Sequence, residues 1–409
     1  MKRALNRIIA TTDVHSQLGK VTPLLAHFHA ERQRSLIVDC GDFFEGTGYY
    51  QLGRGGIERA ILTSLYDVLA PGNHGWRHHF EPGVRELTVC ANAVDALTGK
   101  PLFRRMHPAR IGGRTVAVTA VISPQAFDAI PTAERAGHQV TDPARALVEL
   151  LLEHHHQVDD WVLLSHSGFE EDLRLASQCP FLDIVFAGHC HSDHYAPEPI
   201  GNTLVVKGAE LAAGYAIAEP VGAGWAAHAC RFPQSAKLPT DLEPIGHRIE
   251  TLRTELAAPL GRIASCWRGR MADRRELLTE VARRLHTRLG AEAVVLNETA
   301  LRPVLLGQVL TLEDVLALEP FGNQLVHASL PEAATADPSV VTARLTERAG
   351  PLVHAPNPLP PGLRSVLTTG YLAETLLGGR THAAGIELGQ AVARVLCDPL
   401  TVTEEGAPK

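Results

Sequence analysis

Residues 7–15 read RIIATTDVH, a short apolar run from Arg7 to Thr12 that ends on an aspartate and a histidine two positions apart. The same pattern returns along the first half of the chain. Ser35 to Asp39 runs into Gly41-Asp42, Val68 to Ala70 into Gly72-Asn73-His74, Trp161 to Leu164 into Ser165-His166, and Asp183 to Ala187 into Gly188-His189-Cys190-His191. Each run has the length of a buried strand and hands over to polar residues at its end. Between the runs lie helix-like stretches, Val21 to Arg32, Gly56 to Leu65 and Pro143 to His155. This alternation predicts an α/β fold around a largely buried sheet, and strand ends are where such sheets place their sites.

The chain has 409 residues, and single cores stop growing near about 250–300 residues, so two domains are expected. Strand-like segments continue at Thr203 to Lys207, Tyr215 to Pro220 and Trp225 to Phe232, before a proline-bearing stretch from Pro233 to Pro244. We therefore expect a first domain over residues 1–232, a linker and connecting helix (His247 to Leu256) over 233–262, and a smaller α/β domain over 263–409. No internal repeat is evident, and Pro351 to Pro361 is expected to be a loop.

Composition narrows the partners. With 45% apolar and 20% charged residues the chain is ordinary globular protein. A net charge of -7 supplies no basic surface for a nucleic-acid polymer, although a small anion needs only a local cluster. No run approaches the ~18 apolar residues of a membrane span. No apolar segment follows Met1-Lys2-Arg3 before Asp13, so no cleavable leader is expected. Seven cysteines without a CxxC suit free thiols in a reducing compartment, and we place the chain in the cytoplasm. The sequence leaves the oligomeric state open.

The polar blocks carry the chemistry. Divalent cations take carboxylate, amide oxygen and imidazole ligands, and two cations about 3.5–4 Å apart need a carboxylate between them. Asp42 suits that bridge. The D-x-H spacing sets Asp13 and His15 on one side of an extended segment, and H-x-H does the same for His189 and His191. Glycines before Asp42, Asn73 and His189 are expected to let the backbone turn sharply. Any one block reads equally well as a cap or turn; the ordered set does not. His154-His155-His156 closes a polar helix and reads as a solvated face, while His78 and His79 are either substrate contacts or ordinary histidines.

In this order the blocks resemble the calcineurin-like metallophosphoesterases, and within them the 5'-nucleotidase branch. The resemblance implies an N-terminal metallophosphoesterase β-sandwich flanked by helices, holding two divalent ions, for which Mn²⁺ or Zn²⁺ fits the mixed nitrogen and oxygen ligands. Carried over position by position, Asp13, His15, Asp42 and His191 hold one metal, Asp42, Asn73, His166 and His189 the other, and His74 faces the phosphate as the catalytic group. The chain departs from the branch just after His74. There the branch has a glutamate, an aromatic residue and an aspartate that orients the histidine, but Gly75, Trp76 and Arg77 stand here. His74 is therefore expected to lack a carboxylate partner and to act by hydrogen bonding to phosphate rather than as a strong acid. His191 stands where the branch often has an amide, as in the wider superfamily.

Leu296 to Thr311 and Leu318 to Gln324 resemble the C-terminal domain of the same branch. The resemblance implies that Arg302, Phe321, Asn323 and Tyr371 bind substrate: two aromatics stack a base, Asn323 meets its edge and Arg302 meets anionic oxygens. Arg268, Arg270, Arg274 and Arg275 fall where the branch places further anion-binding arginines. The branch's Gly-Gly-Asp-Gly run is missing; Gly378-Gly379 comes later, without an aspartate. The implied reaction is hydrolysis of a nucleoside 5'-monophosphate, or a modified nucleotide, to nucleoside and phosphate. A phosphodiesterase for cyclic nucleotides or nucleotide sugars shares every metal ligand, and the missing aspartate after His74 leaves open a nucleotide-binding protein without turnover. A sulfur-ester hydrolase is the remotest reading.

Overall fold

The computed structural model describes residues 3–233, 236–330, 338–378 and 380–397; Gln234 and Ser235 of the expected linker, Gly379 of the glycine pair and the tail 398–409 lie outside them. The chain divides into two compact units, Met1–Arg253 and Thr254–Lys409.

In the first unit the apolar runs become strands. They are β1 (Arg7–Thr11), β2 (Ser35–Asp39), β3 (Val68–Leu69), β4 (Ala93–Asp95), β5 (Met106–Ile111), β6 (Arg114–Ile122), β7 (His138–Val140), β8 (Asp160–His166), β9 (Ile184–Ala187), β10 (Glu198–Ile200), β11 (Thr203–Lys207), β12 (Gly214–Val221) and β13 (Gly224–Arg231). One sheet has the order β13-β12-β1-β2-β3 and a second β10-β11-β9-β8-β6-β5, with β4 and β7 paired apart. The central strands are parallel: β1 with β2, in register from Arg7 opposite Ser35 to Thr11 opposite Asp39, then β2 with β3, β6 with β8, β8 with β9 and β9 with β11. Antiparallel hairpins close the edges.

Alternate side chains explain the layering. Ile8, Ala10, Leu36 and Val38 of the first sheet pack with Val116, Val118, Val162, Leu164, Ile184 and Phe186 of the second in one core. The intervening Ala117, Val121, Leu163 and Val185 face outward, where Leu147 and Leu150 of helix Pro143–His154 and Leu175 of helix Phe169–Gln178 cover them. Strands buried on both faces read as continuous apolar runs, which is why the sequence announced them. Helix Pro143–His154 starts where it does because Asp142 accepts from the Arg145 amide at 2.8 Å and a proline opens its first turn.

The second unit holds β14 (Pro259–Arg262), β15 (Val294–Asn297), β16 (Val309–Thr311), β17 (Gln324–Ser329), β18 (Leu352–Ala355), β19 (Ser365–Thr369) and β20 (Thr381–Glu387). Its main sheet runs β18-β15-β19-β17-β20, and β14 pairs with β16. Helices Arg274–Leu289 and Leu388–Leu396 pack Leu277, Val281, Leu285, Val392 and Val395 against Val294, Leu296, Leu325 and Leu367. One expectation fails here: the stretch from Pro351 to Pro361 is not all loop, since Leu352–Ala355 forms β18 against β15 before Pro356 and Pro358 end the pairing. No helix among the described residues is long and apolar enough to cross a membrane.

Candidate metal and phosphate site

Asp13, Asp42 and Asn73 follow the C-terminal ends of β1, β2 and β3, His166 is the last residue of β8, and His189 follows β9. Both sheets thus present the polar ends of their parallel strands. Asp42, His166 and His189 form one group with ligand atoms within 4.8 Å of one another, and Asp13, His15 and His191 form another. Asp42 reaches both, with Oδ2 3.3 Å from His166 Nε2 and 3.7 Å from His15 Nε2. Asn73 Oδ1 lies 3.1 Å from His166 Nε2 and 2.9 Å from His189 Nδ1. His15 Nε2 and His191 Nε2 are each 3.8 Å from Asp13 Oδ1.

The contacts behind these groups aim them. The Nδ1–H of His166 donates to the Cys40 carbonyl at 2.8 Å, which turns Nε2 towards Asp42 and Asn73. Asp13 Oδ2 accepts from the Thr12 hydroxyl and from the His189 amide, whereas Asp13 Oδ1 is buried without a hydrogen-bond partner. An unpartnered buried carboxylate oxygen is costly, and the His15 and His191 imidazoles beside it complete a donor set that suits a divalent cation. The residues present therefore fit the group that the sequence implies.

The convergence requires uncommon backbone geometry. Asp13, His15, Asp42 and His189 all have positive φ, between 48° and 72°, a conformation that non-glycine residues hold only where the surroundings over-determine it. The glycines work differently from expectation. Only Gly41 turns the chain, at φ +100°. Gly72 and Gly188 are needed for close approach instead: a Cβ on Gly72 would stand 2.0 Å from Asp42 Oδ1, and one on Gly188 2.6 Å from Thr12 Oγ1.

Electrostatics match. Burial pulls His15 and His189 down to about 4, so their nitrogens are neutral lone-pair donors near pH 7. Burial also opposes charge on His166, but Asp42 and Asp13 outweigh it and push it up to about 9. Burial raises Asp13. The two carboxylates thus demand positive charge, a demand a divalent cation meets while displacing the proton.

His74 corrects the sequence reading. No carboxylate stands in the three residues after it, yet Glu45, three residues after Asp42, brings Oε2 to 3.1 Å from His74 Nδ1, and the Gly75 amide donates to Glu45 Oε1 at 3.1 Å. Burial would lower His74, but the bond to Glu45 and the charge of Asp42 raise it on balance. Arg77 donates to the Tyr50 hydroxyl at 3.0 Å. His78 and His79 are buried beneath this layer. His78 stacks on Phe44 with centroids 4.4 Å apart and bonds Tyr50 and Glu81, and His79 meets Thr88. His155 and His156 are exposed, as the sequence suggested.

Sequence reasoning missed Glu45 and also Lys207. Lys207 is fully buried at the end of β11 and donates to the carbonyls of Cys190 and Ser192 on either side of His191, with Glu210 as its counter-ion. The one signal was a lysine closing an otherwise apolar run.

In the second unit Phe321 and Tyr371 are both about half exposed, and Arg302 lies over the Phe321 ring, its Cζ 5.5 Å from the centroid. Asn323 Nδ2 donates to Glu319 Oε1 at 2.7 Å, which ties the Pro320–Asn323 turn together. The arginine cluster is largely occupied within its own unit: Arg268 bonds the Ile263 carbonyl, Arg270 pairs with Glu276, and Arg275 pairs with Glu298.

The profile of the calcineurin-like phosphoesterases matches residues 6–193. An apyrase of Tabanus yao is 27% identical over 179 residues, 40% of this chain and 31% of the apyrase. A probable 5'-nucleotidase of Treponema pallidum is 25% identical over 181 residues, 41% of this chain and 30% of that protein. The chain thus spans about a third of the length of these curated relatives. The crystal structure of a 5'-nucleotidase precursor from Thermus thermophilus matches with a TM-score of 0.69 over 96% of both chains, at 19% identity, a likeness of fold. Residues 6–193 thus match the calcineurin-like phosphoesterase model, and the chain has the fold of a solved 5'-nucleotidase precursor.

Proposed function

We propose that the chain is a phosphomonoesterase that hydrolyses a nucleoside 5'-monophosphate, or a modified nucleotide, to nucleoside and phosphate. The observation that carries this reading is the pair of ligand groups, Asp13-His15-His191 and Asp42-His166-His189, which share Asp42 between them. Asn73 adds an amide oxygen to the second group. Two divalent cations held there, Mn²⁺ or Zn²⁺ by donor type, would supply charge to neutralise the phosphoryl group and acidify water. The chain's own residues do the rest. Neutral His15 and His189 and the carboxylates of Asp13 and Asp42 would hold those cations in place. The water oxygen bonds to phosphorus, the ester P–O bond breaks, and the nucleoside oxygen takes up a proton. His74, raised and beside Asp42, is the group we assign to the phosphoryl and leaving-group charge.

We assign recognition of the base to the exposed Phe321 and Tyr371, with Asn323 and Arg302 as polar contacts. Phe321→Ala or Tyr371→Ala is expected to weaken a nucleotide by roughly 1–3 kcal/mol per lost stack while leaving p-nitrophenyl phosphate nearly untouched. Steady-state kinetics on both esters checks it. Equal losses on both would make the rings structural and remove the case for a nucleotide. No disulfide joins the seven cysteines among the described residues, which supports action in the cytoplasm. An enzyme there that drained every nucleotide would be harmful, so we propose a narrow one; equal rates on AMP, GMP, CMP and UMP would overturn that.

A further inference from the structure

We propose that Glu45 is the positioning residue for His74. It holds the ring's Nδ1–H so that Nε2 is the nitrogen left for the phosphoryl group. The inference rests on the reading that His74 serves the reaction.

The geometry is specific. One carboxylate spans two donors of adjacent residues: Oε2 lies 3.1 Å from His74 Nδ1, and Oε1 accepts the Gly75 amide at 3.1 Å. Glu45 therefore fixes the ring and the backbone just beyond it together. A carboxylate at Nδ1 settles which nitrogen carries the proton, and with it which nitrogen faces outward.

The turn that puts it there is strained. Glu45 has φ +65° and is followed by Gly46 at φ +103°, where a Cβ would stand 2.9 Å from the Cβ of His15. The turn that aims Glu45 is thus seated directly against a residue of the metal site, and the His15 ring in turn meets the His74 ring edge-on with centroids 5.0 Å apart. Glu45, His74 and His15 form one packed unit. None of the next three residues can take over: Gly75 and Trp76 offer no side-chain acceptor, and the Arg77 guanidinium has donors only and is engaged with Tyr50.

A double-mutant cycle tests this on the metal-supplemented full chain, with Glu45→Ala, Glu45→Gln, His74→Ala and both Glu45 changes in the His74→Ala background. In the presence of His74, Glu45→Ala is expected to lower kcat by about 10- to 100-fold, the scale for loss of an outer partner, with KM and bound metal unchanged. Glu45→Gln also lowers kcat, because an amide can donate or accept and no longer dictates the tautomer. Once His74 is alanine, neither change is expected to cost anything further. The glutamine variant is nearly isosteric and carries the test if the alanine variant fails to fold. Full-sized losses that persist without His74, or no loss at all, overturn the positioning role while leaving the phosphoesterase reading intact. If His74→Ala itself costs nothing, it is the reading of His74 that fails.

Discussion

Asp42→Asn is expected to give a folded protein that binds much less metal and loses hydrolysis by at least roughly 10²- to 10³-fold, the scale for removing one preorganised charge-stabilising group. Asp42 is nearly fully buried and divides its work between two oxygens. Oδ1 accepts the His74 amide at 2.8 Å, while Oδ2 stands between His15 and His166. An asparagine keeps the shape and the Oδ1 contact, so the loop still forms. What it removes is the negative charge shared by both ligand groups, and a neutral amide bridges two cations poorly. Metal content by mass spectrometry together with phosphate release checks both halves, and wild-type turnover would remove the two-metal reading. The exposed His155 is the contrast: His155→Ala should change neither quantity.

The second large effect belongs to His74. Its ring is half-buried, unlike the fully buried His166, and it meets the metal groups through Asp42 and the edge of His15. His74→Ala is expected to retain both metals and to lose about 10²- to 10⁴-fold in rate, the range for acid-base or charge assistance. The paired measurement matters, because His74 also lies within ligand distance of Asp42 and His15. A variant that loses metal along with rate would make His74 a ligand and not the group that meets the phosphate.

The strands that place the site were legible because burial on both faces wrote them as continuous apolar runs, and their polar ends could be read at the same time. Ser35–Asp39 and Thr203–Lys207 appear with the boundaries that the sequence suggests. The hairpin β5–β6 was not read, although Gly112-Gly113 between Ile111 and Arg114 is a two-residue turn signal and both glycines have positive φ. Residues brought in from elsewhere in the chain were harder. Glu45 belongs to the turn after Asp42, and no local pattern says that its side chain crosses to a histidine twenty-nine positions away. Lys207 is similar: a lysine at a strand end reads as solvated until the fold supplies the carbonyls of Cys190 and Ser192. In the second unit the arginines read as a ligand cluster only while their partners Glu276 and Glu298 are unknown.

Phosphate release decides whether the proposed metal-dependent hydrolysis of a nucleoside monophosphate takes place. The protein is stripped of metal, resupplied with Mn²⁺ or Zn²⁺, and offered common and modified nucleoside 5'-monophosphates, with cyclic nucleotides and nucleotide sugars alongside. One phosphate is expected per nucleoside formed from a monophosphate, with release abolished by a chelator and restored by the metal. Metal-loaded protein that releases no phosphate from any monophosphate, or that cleaves only the diesters, would contradict it.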